Sequence, residues 1–289
     1  MTDSAKEIVP DRVCVYKSTA QGELRMHLFL PPGWRAADRR AAMLLFHGGG
    51  WTKGSAGQMF RWAEHFAGRG LVAMSAEYRL RDRHGTTPEK CVMDARSAMR
   101  YLRRNASALG VDPARVIAGG SSAGAHLATA LGVGCGPDEP GEDAGVPIRP
   151  QALVCLGNCP DASDRGFRWK GTPDEARGDE WARAISPHHH VVSGCPPAIM
   201  MSGGSDVYLP KVRAFALKSS ALGNRVDVWS APAQPHTFHN ASPWLEAVII
   251  KAEEFLASLG FIEGPPAMEP ADPKAVLVRE AVTGSGGAV

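Results

Sequence analysis

The sequence predicts an α/β protein with a mostly parallel central sheet, an antiparallel N-terminal edge and helices on both faces. Six short runs carry most of that expectation: AAMLLF (41–46), LVAMSAEY (71–78), RVIAGG (115–120), QALVCLGN (151–158), PAIMMSGG (197–204) and RVDVWSAP (225–232). They are nearly continuously apolar, as strands covered on both faces by crossover helices must be. Helical patterns lie between them. The N-terminal segment differs: in LRMHLFLPPG (24–33), Leu24, Met26, Leu28 and Leu30 alternate with Arg25, His27 and Phe29, the period of a strand with one face on a core.

In chain order, RVCVYKST (12–19) and LRMHLFLPPG meet at Gln21-Gly22 and form the antiparallel start. After the strands at 41–46 and 71–78, Val92, Ala95, Met99 and Leu102 share one helical face, and Gly110 followed by Asp112-Pro113 ends that segment. RVIAGG runs into a helix, AGAHLATALG (123–132). Between the last two strands Val212, Phe215, Ala216 and Ser219 pack as a helix; the final helix shows Leu245, Val248, Ile249, Ala252, Phe255, Leu256 and Leu259 on one stripe, closed by Gly260. Two insertions break the rhythm and are expected to act as lid or substrate segments: the acidic, Gly/Pro-rich 134–150, and 159–195 with Trp169, Trp181 and His188-His189-His190. Residues 1–263 are expected to form one domain. The Pro/Ala/Gly-rich 264–289, with AVLV as its short apolar run, reads as a loosely docked tail or as a contact between copies in a homo-oligomer.

Composition removes several function classes. At 289 residues and 44% hydrophobic the chain buries a large core, and its net charge of +2 comes without a basic stripe, so no nucleic-acid partner is expected. None of the six cysteines forms a CxxC pair, which predicts buried thiols in a reducing compartment and no metal centre. The N-terminus is charged and no apolar run reaches the ~18 residues of a membrane span, which predicts a soluble, cytoplasmic protein. Three consecutive histidines point in different directions in any regular structure, so His188–His190 reads as a loop cluster, not a metal site.

The chemistry-bearing signal begins at GSSAG (120–124), which fits Gly-x-Ser-x-Gly only around Ser122. Ser122 falls where a strand ends and a helix begins. A nucleophile there sits on a sharp strained turn that needs small neighbours, above helix amides that favour a developing oxyanion. A phosphate-binding turn is the competing reading, but GGSSAG lacks both G-x-G-x-x-G spacing and a P-loop lysine. Directly after AAMLLF comes HGGGWTKGS (47–55). Its glycines let backbone amides face a ligand, so Gly48 and Gly49, with the amide of Ala123, are the expected oxyanion donors. His47 is expected to hold this loop, and His126 to be a buried, hydrogen-bonded packing residue. Late in the chain, Asp206 follows one strand and His236 the next, which puts both at the sheet edge that carries Ser122. Asp206 is preferred over Asp161, Asp164 and Asp227 as the acid, and His236 over His239 as the base. In these roles His236 takes the Ser122 proton and Asp206 holds its tautomer.

With HGGGW, GSSAG and the late acid and histidine in order, the chain resembles the α/β-hydrolase superfamily over about residues 25–260, in its esterase/lipase branch with a hormone-sensitive-lipase-like HGGG loop. The stretch from EYRLRDRHGTTPEK to GSSAGAHLA, and QPHTFHN, are similar to bacterial carbohydrate acetyl and feruloyl esterases. Two departures are YRLRDRHGTTPE where that branch has YRLAPE, and Ala125 at a frequent glycine position. The resemblance implies an α/β-hydrolase fold, no cofactor, and hydrolysis of short-chain acyl esters, an acetylated carbohydrate above all, through an acyl-enzyme on Ser122. Trp51, Trp169 and Trp181 are candidate substrate contacts, because flat amphipathic rings suit sugar faces; core or lid packing is the other reading. An arylformamidase-like amidohydrolase with the same triad, or a silent hydrolase-fold binding protein, are the alternatives.

Overall fold

In chain order the elements are β1 (Arg12–Thr19), β2 (Gly22–Phe29), β3 (Arg40–Phe46), α1 (Phe60–Gly68), β4 (Val72–Ala76), α2 (Arg81–His84), α3 (Pro88–Arg104), β5 (Val111–Ser121), α4 (Ala123–Val133), β6 (Ala152–Leu156), α5 (Gly178–Ala184), β7 (Ala198–Gly203), α6 (Leu209–Ala221), β8 (Val226–Ala231), α7 (Trp244–Ser258) and β9 (Val278–Arg279). The computed structural model describes residues 7–282. Among these, the strands form one sheet in the order β1-β2-β4-β3-β5-β6-β7-β8-β9. β1, β2 and β4 pair antiparallel, and β4-β3-β5-β6-β7-β8 run parallel.

The continuous apolar runs are explained by two separate cores. Along β3, Ala42, Leu44 and Phe46 join the residues of α3, α4 and α6 on one face, while Met43 and Leu45 join those of α1 and α7 on the other. Both faces are therefore dry, and each fully buried Leu or Phe contributes about 1.5–3 kcal/mol. β2, one strand further out, keeps Leu24, Met26 and Leu28 buried and Glu23 and Arg25 exposed, which is the alternation visible in the sequence.

The C-terminal segment is less loose than expected. β9 adds to β8 antiparallel through Trp229–Arg279 and Ser230–Val278, and Glu280 accepts hydrogen bonds from Arg213 at 2.9 Å and from Ser230. It caps the sheet with a second antiparallel edge; residues 283–289 of the expected tail lie outside the described residues.

The two insertions take different roles. Residues 134–150 cover two arginines of α3 that stand four residues apart and are buried beneath them: Arg96 and Arg100 pair with Asp138 at 2.7 and 2.6 Å, and Arg100 with Glu142 at 3.1 Å. Glu139 of the same insertion pairs with Lys17 and Arg79, each at 2.6 Å. Charge pairing fastens the middle of this strap, while Cys135 and Ile148 near its ends pack on the core. The 159–195 insertion is anchored by Trp169, which is fully buried in the core with Ala182 and Ile185 and donates its indole N–H to Glu89 Oε2 at 2.7 Å, and by Arg81, Lys211 and Lys218, which donate to its backbone carbonyls. No helix among the described residues is long and apolar enough to cross a membrane.

Candidate active site

Gly120 and Gly124 are what allow the β5–α4 turn. A Cβ on Gly124 would lie 2.0 Å from the Phe46 carbonyl oxygen, and one on Gly120 2.3 Å from the same atom; any side chain would push β3 away from the turn. Ser122 itself takes φ 52° and ψ −115°, a strained backbone for a residue with a Cβ. Its N–H donates to Leu156 O at 2.8 Å and its carbonyl accepts the His126 N–H at 3.0 Å, so the strain is fixed from both sides.

The strand order carries the ends of β5, β7 and β8 to one edge of the sheet. There Ser122 Oγ lies 2.8 Å from His236 Nε2, and His236 Nδ1 lies 2.7 Å from Asp206 Oδ2. A carboxylate only accepts, so the imidazole proton sits on Nδ1 and Nε2 is free to take the serine proton. Asp206 is held in turn by the Tyr208 N–H, which donates to Oδ1 at 2.9 Å, and its side chain is closed to solvent whereas His236 is 27% exposed. This arrangement leaves the acid buried and the base open to a reactant. Gly203, not singled out by sequence, makes the approach possible: a Cβ there would meet the carbonyl oxygens of Gln234 and Pro235, each at 2.2 Å.

The glycine loop lies against the elbow, where a Cβ on Gly48 would be 3.4 Å from Ser122 Cβ. Among the described residues the amides of Gly48 and Gly49 donate to no protein acceptor, and Ala123, as the first residue of α4, has no intrahelical acceptor for its amide. Three backbone amides of the glycine loop and the α4 start thus have no backbone acceptor among the described residues. His47 serves the loop: its Nδ1–H donates to Gly48 O at 2.7 Å, its ring stacks on Tyr78 at 4.3 Å, and the Tyr78 hydroxyl donates to His47 O at 2.8 Å. Burial pushes the His47 pKa down to about 4, so the ring is neutral at neutral pH.

His239, the competing base, is engaged elsewhere. It pairs with the other elbow serine, with Nε2 2.7 Å from Ser121 Oγ; burial, reinforced by the neighbouring His236 charge, lowers its pKa to about 3. Of the competing acids, Asp161 faces Ser163 and His189, Asp164 faces Lys211, and Asp227 faces Arg225 and Arg279. His126 is fully buried, edge-on to Trp51 at 5.0 Å. No group of three metal-type donors converges among the described residues.

The aromatic platform needs correction. Trp169 is fully buried and Trp51 is 5% exposed, so neither ring offers an open face to a sugar. Trp181 is half-buried with the Arg177 guanidinium 4.7 Å above its ring. Polar residues, which sequence reasoning did not pick out, border the site instead. Tyr208 lies edge-on to His236 at 5.1 Å and accepts a hydrogen bond from Arg165 at 2.5 Å, and Arg168 Nη2 lies 3.3 Å from where a Gly50 Cβ would be. Both arginines come from the 159–195 insertion, which is the one that reaches the site.

Known proteins share this framework. The chain is 27% identical over 262 residues to the carboxylesterase/phospholipase LipF of Mycobacterium tuberculosis, covering 81% of this chain and 68% of LipF. It is similar to the apo structure of esterase 2 of Thermogutta terrifontis, with TM-score 0.81, 34% identity and coverage of 89% of this chain and 98% of that one. The butyrate-bound structure of that esterase is similar at TM-score 0.80 and 35% identity, covering 88% of this chain and 96% of the other. A family model described as alpha/beta hydrolase fold matches residues 43–240, a span that takes in the glycine loop, the elbow, the acid and the histidine, and the chain belongs to that family.

Proposed function

We propose that this protein is a serine carboxylesterase for short-chain acyl esters, working through Ser122, His236 and Asp206. The observation that carries the reading is the unbroken hydrogen-bonded line from Ser122 Oγ through His236 to Asp206, at 2.8 and 2.7 Å, on a strained elbow beside unengaged backbone amides. Ser122 Oγ attacks the ester carbonyl carbon as His236 Nε2 takes its proton. The oxyanion forms against the amides of Gly48, Gly49 and Ala123, and the C–O bond to the alcohol breaks as His236 returns the proton to the leaving alkoxide. Water then repeats the sequence on the acyl-enzyme and releases the carboxylic acid. No cofactor is needed for either half.

The carboxylic ester hydrolase class is supported by relatives named as carboxylesterases and esterases. Short acyl length is supported by the propionate- and butyrate-bound structures of the Thermogutta esterase. An acetylated carbohydrate as the alcohol partner rests on the sequence resemblance alone, since Trp51 and Trp169 are buried.

Ser122→Ala is expected to abolish p-nitrophenyl acetate hydrolysis, and full retention of turnover overturns the assignment. A panel of p-nitrophenyl esters, run beside acetylated xylo-oligosaccharides, reads substrate class. Rates that stay flat out to about eight acyl carbons overturn the short-chain reading, because each methylene that a pocket does not house costs ~1–3 kcal/mol.

A further inference from the structure

Two adjacent serines meet two histidines spaced by three residues: Ser122 with His236 at 2.8 Å and Ser121 with His239 at 2.7 Å. Among the described residues these are the hydrogen bonds that join the elbow, residues 120–124, to the histidine loop, residues 232–240. The loop's remaining hydrogen bonds are local, or, like Ser205 N–H to Gln234 O at 2.9 Å, lead to the acid loop.

The two ties differ in chemistry. Ser122–His236 is the reacting one, and once Ser122 Oγ is esterified its hydroxyl proton is gone and that hydrogen bond with it. Ser121–His239 does not react. Ser121 is 9% and His239 2% exposed, His239 Nδ1 has no hydrogen-bond partner among the described residues, and Phe238 beside it is buried and packs edge-on to Trp244 at 6.0 Å. The pair borders a cavity of about 130 Å³ that His236 does not line, walled by Met59, Trp62, Leu156 and Leu245 together with Gln58, Arg61 and Asn240.

We propose that Ser121 and His239 are positioning residues for deacylation: their buried hydrogen bond holds the histidine loop in register with the elbow while the acyl group occupies Ser122. Deacylation is the step that needs this. A water oxygen attacks the acyl carbonyl carbon as His236 Nε2 takes the water proton; the carbonyl carbon–Oγ bond then breaks, and the proton passes from His236 to Ser122 Oγ. Throughout that step no Ser122 hydroxyl proton orients the imidazole. During acylation both ties are present, so loss of the buried one is felt less. Burial also keeps the His239 ring neutral, so it adds no charge beside the imidazolium that forms on His236.

This inference rests on the esterase reading, and the experiment separates the two. Stopped-flow release of p-nitrophenol from p-nitrophenyl acetate is followed for the wild type, Ser121→Ala, His239→Phe, Ser121→Thr and Ser122→Ala, with thermal unfolding recorded for each. Ser121→Ala and His239→Phe are expected to give a burst approaching one product per enzyme, followed by a steady rate lowered roughly ten- to a hundred-fold, as about 1 Å of misplacement produces. In both, kcat and KM fall together, so kcat/KM changes by less than about three-fold. Ser121→Thr, which keeps the hydroxyl, restores the steady rate. Equal slowing of acylation and deacylation, or slowing of neither, overturns the positioning role; should His239→Phe not fold, Ser121→Ala alone decides. Turnover surviving Ser122→Ala overturns the esterase reading itself, whereas a dead Ser122→Ala with evenly slowed neighbours removes only the buried tie.

Discussion

Asp206→Asn tests the charge behind the base. The Tyr208 N–H donates to Asp206 Oδ1 at 2.9 Å, and in the variant it selects the amide oxygen for that place, which turns the new NH2 toward His236 Nδ1. Two donors cannot face each other, so the imidazole proton moves to Nε2, and the ring then donates to Ser122 instead of accepting from it. The variant also removes the charge that stabilises the imidazolium. With an N···O distance of 2.7 Å the charge centres lie about 4 Å apart, worth ~4 kcal/mol at an effective dielectric constant of about 20. At 1.36 kcal/mol per decade that is a loss of about a thousand-fold in kcat for p-nitrophenyl acetate, to which the wrong tautomer adds. The assay is steady-state hydrolysis alongside a melting curve, so that misfolded protein is discounted. A correctly folded Asp206→Asn enzyme that keeps more than about a tenth of wild-type kcat refutes the reasoning, because neither the tautomer nor the ~4 kcal/mol would then be at work.

Two further outcomes follow from elements outside the site. Trp169→Phe removes the indole donor and leaves Glu89 Oε2 without it, a loss of ~1–3 kcal/mol that calorimetry registers as a melting point lowered by several degrees. Activity per folded molecule toward acetylated sugars is unchanged, and a selective loss of sugar-ester turnover would instead return Trp169 to the substrate. Asp138 is held at a pKa of about 2 by the Arg96 hydrogen bond first, then by Arg100. A carboxylate lowered on folding adds stability above its unfolded pKa of about 3.9 and loses it as the pH falls through the folded value. Chemical denaturation should therefore show the wild type ahead of Asp138→Asn above about pH 4, with the gap closing toward pH 2; a gap that stays constant across that range contradicts the pairing.

Much of the framework was legible in the chain itself because its causes are local. Parallel strands covered on both faces have to be continuously apolar, so β3 to β8 announce themselves, and β2 shows its half-exposed place by alternation. The elbow is legible for a similar reason: at Gly120 and Gly124 a Cβ would collide with the Phe46 carbonyl, and the requirement appears as glycines two positions either side of Ser122. Chain order then picked out Asp206 and His236, which the fold brings to Ser122.

Which side chain meets which depended on distances the chain does not encode nearby. The three tryptophans looked alike in sequence, yet Trp169 is fully buried because the 159–195 insertion folds back on Glu89 of α3. The acidic 134–150 segment gave no hint that its carboxylates answer arginines four residues apart on α3. From sequence alone His236 and His239 competed for one serine; the structure gives each its own, because the loop after β8 sets two side chains three residues apart against two consecutive residues of the β5–α4 turn. Sequence determined the strands, the elbow and the order of the reactive types, through burial and backbone strain that act within a few residues. Tertiary structure decided the pairings between residues tens to more than a hundred positions apart, because a hydrogen bond depends on loop geometry set by the whole fold.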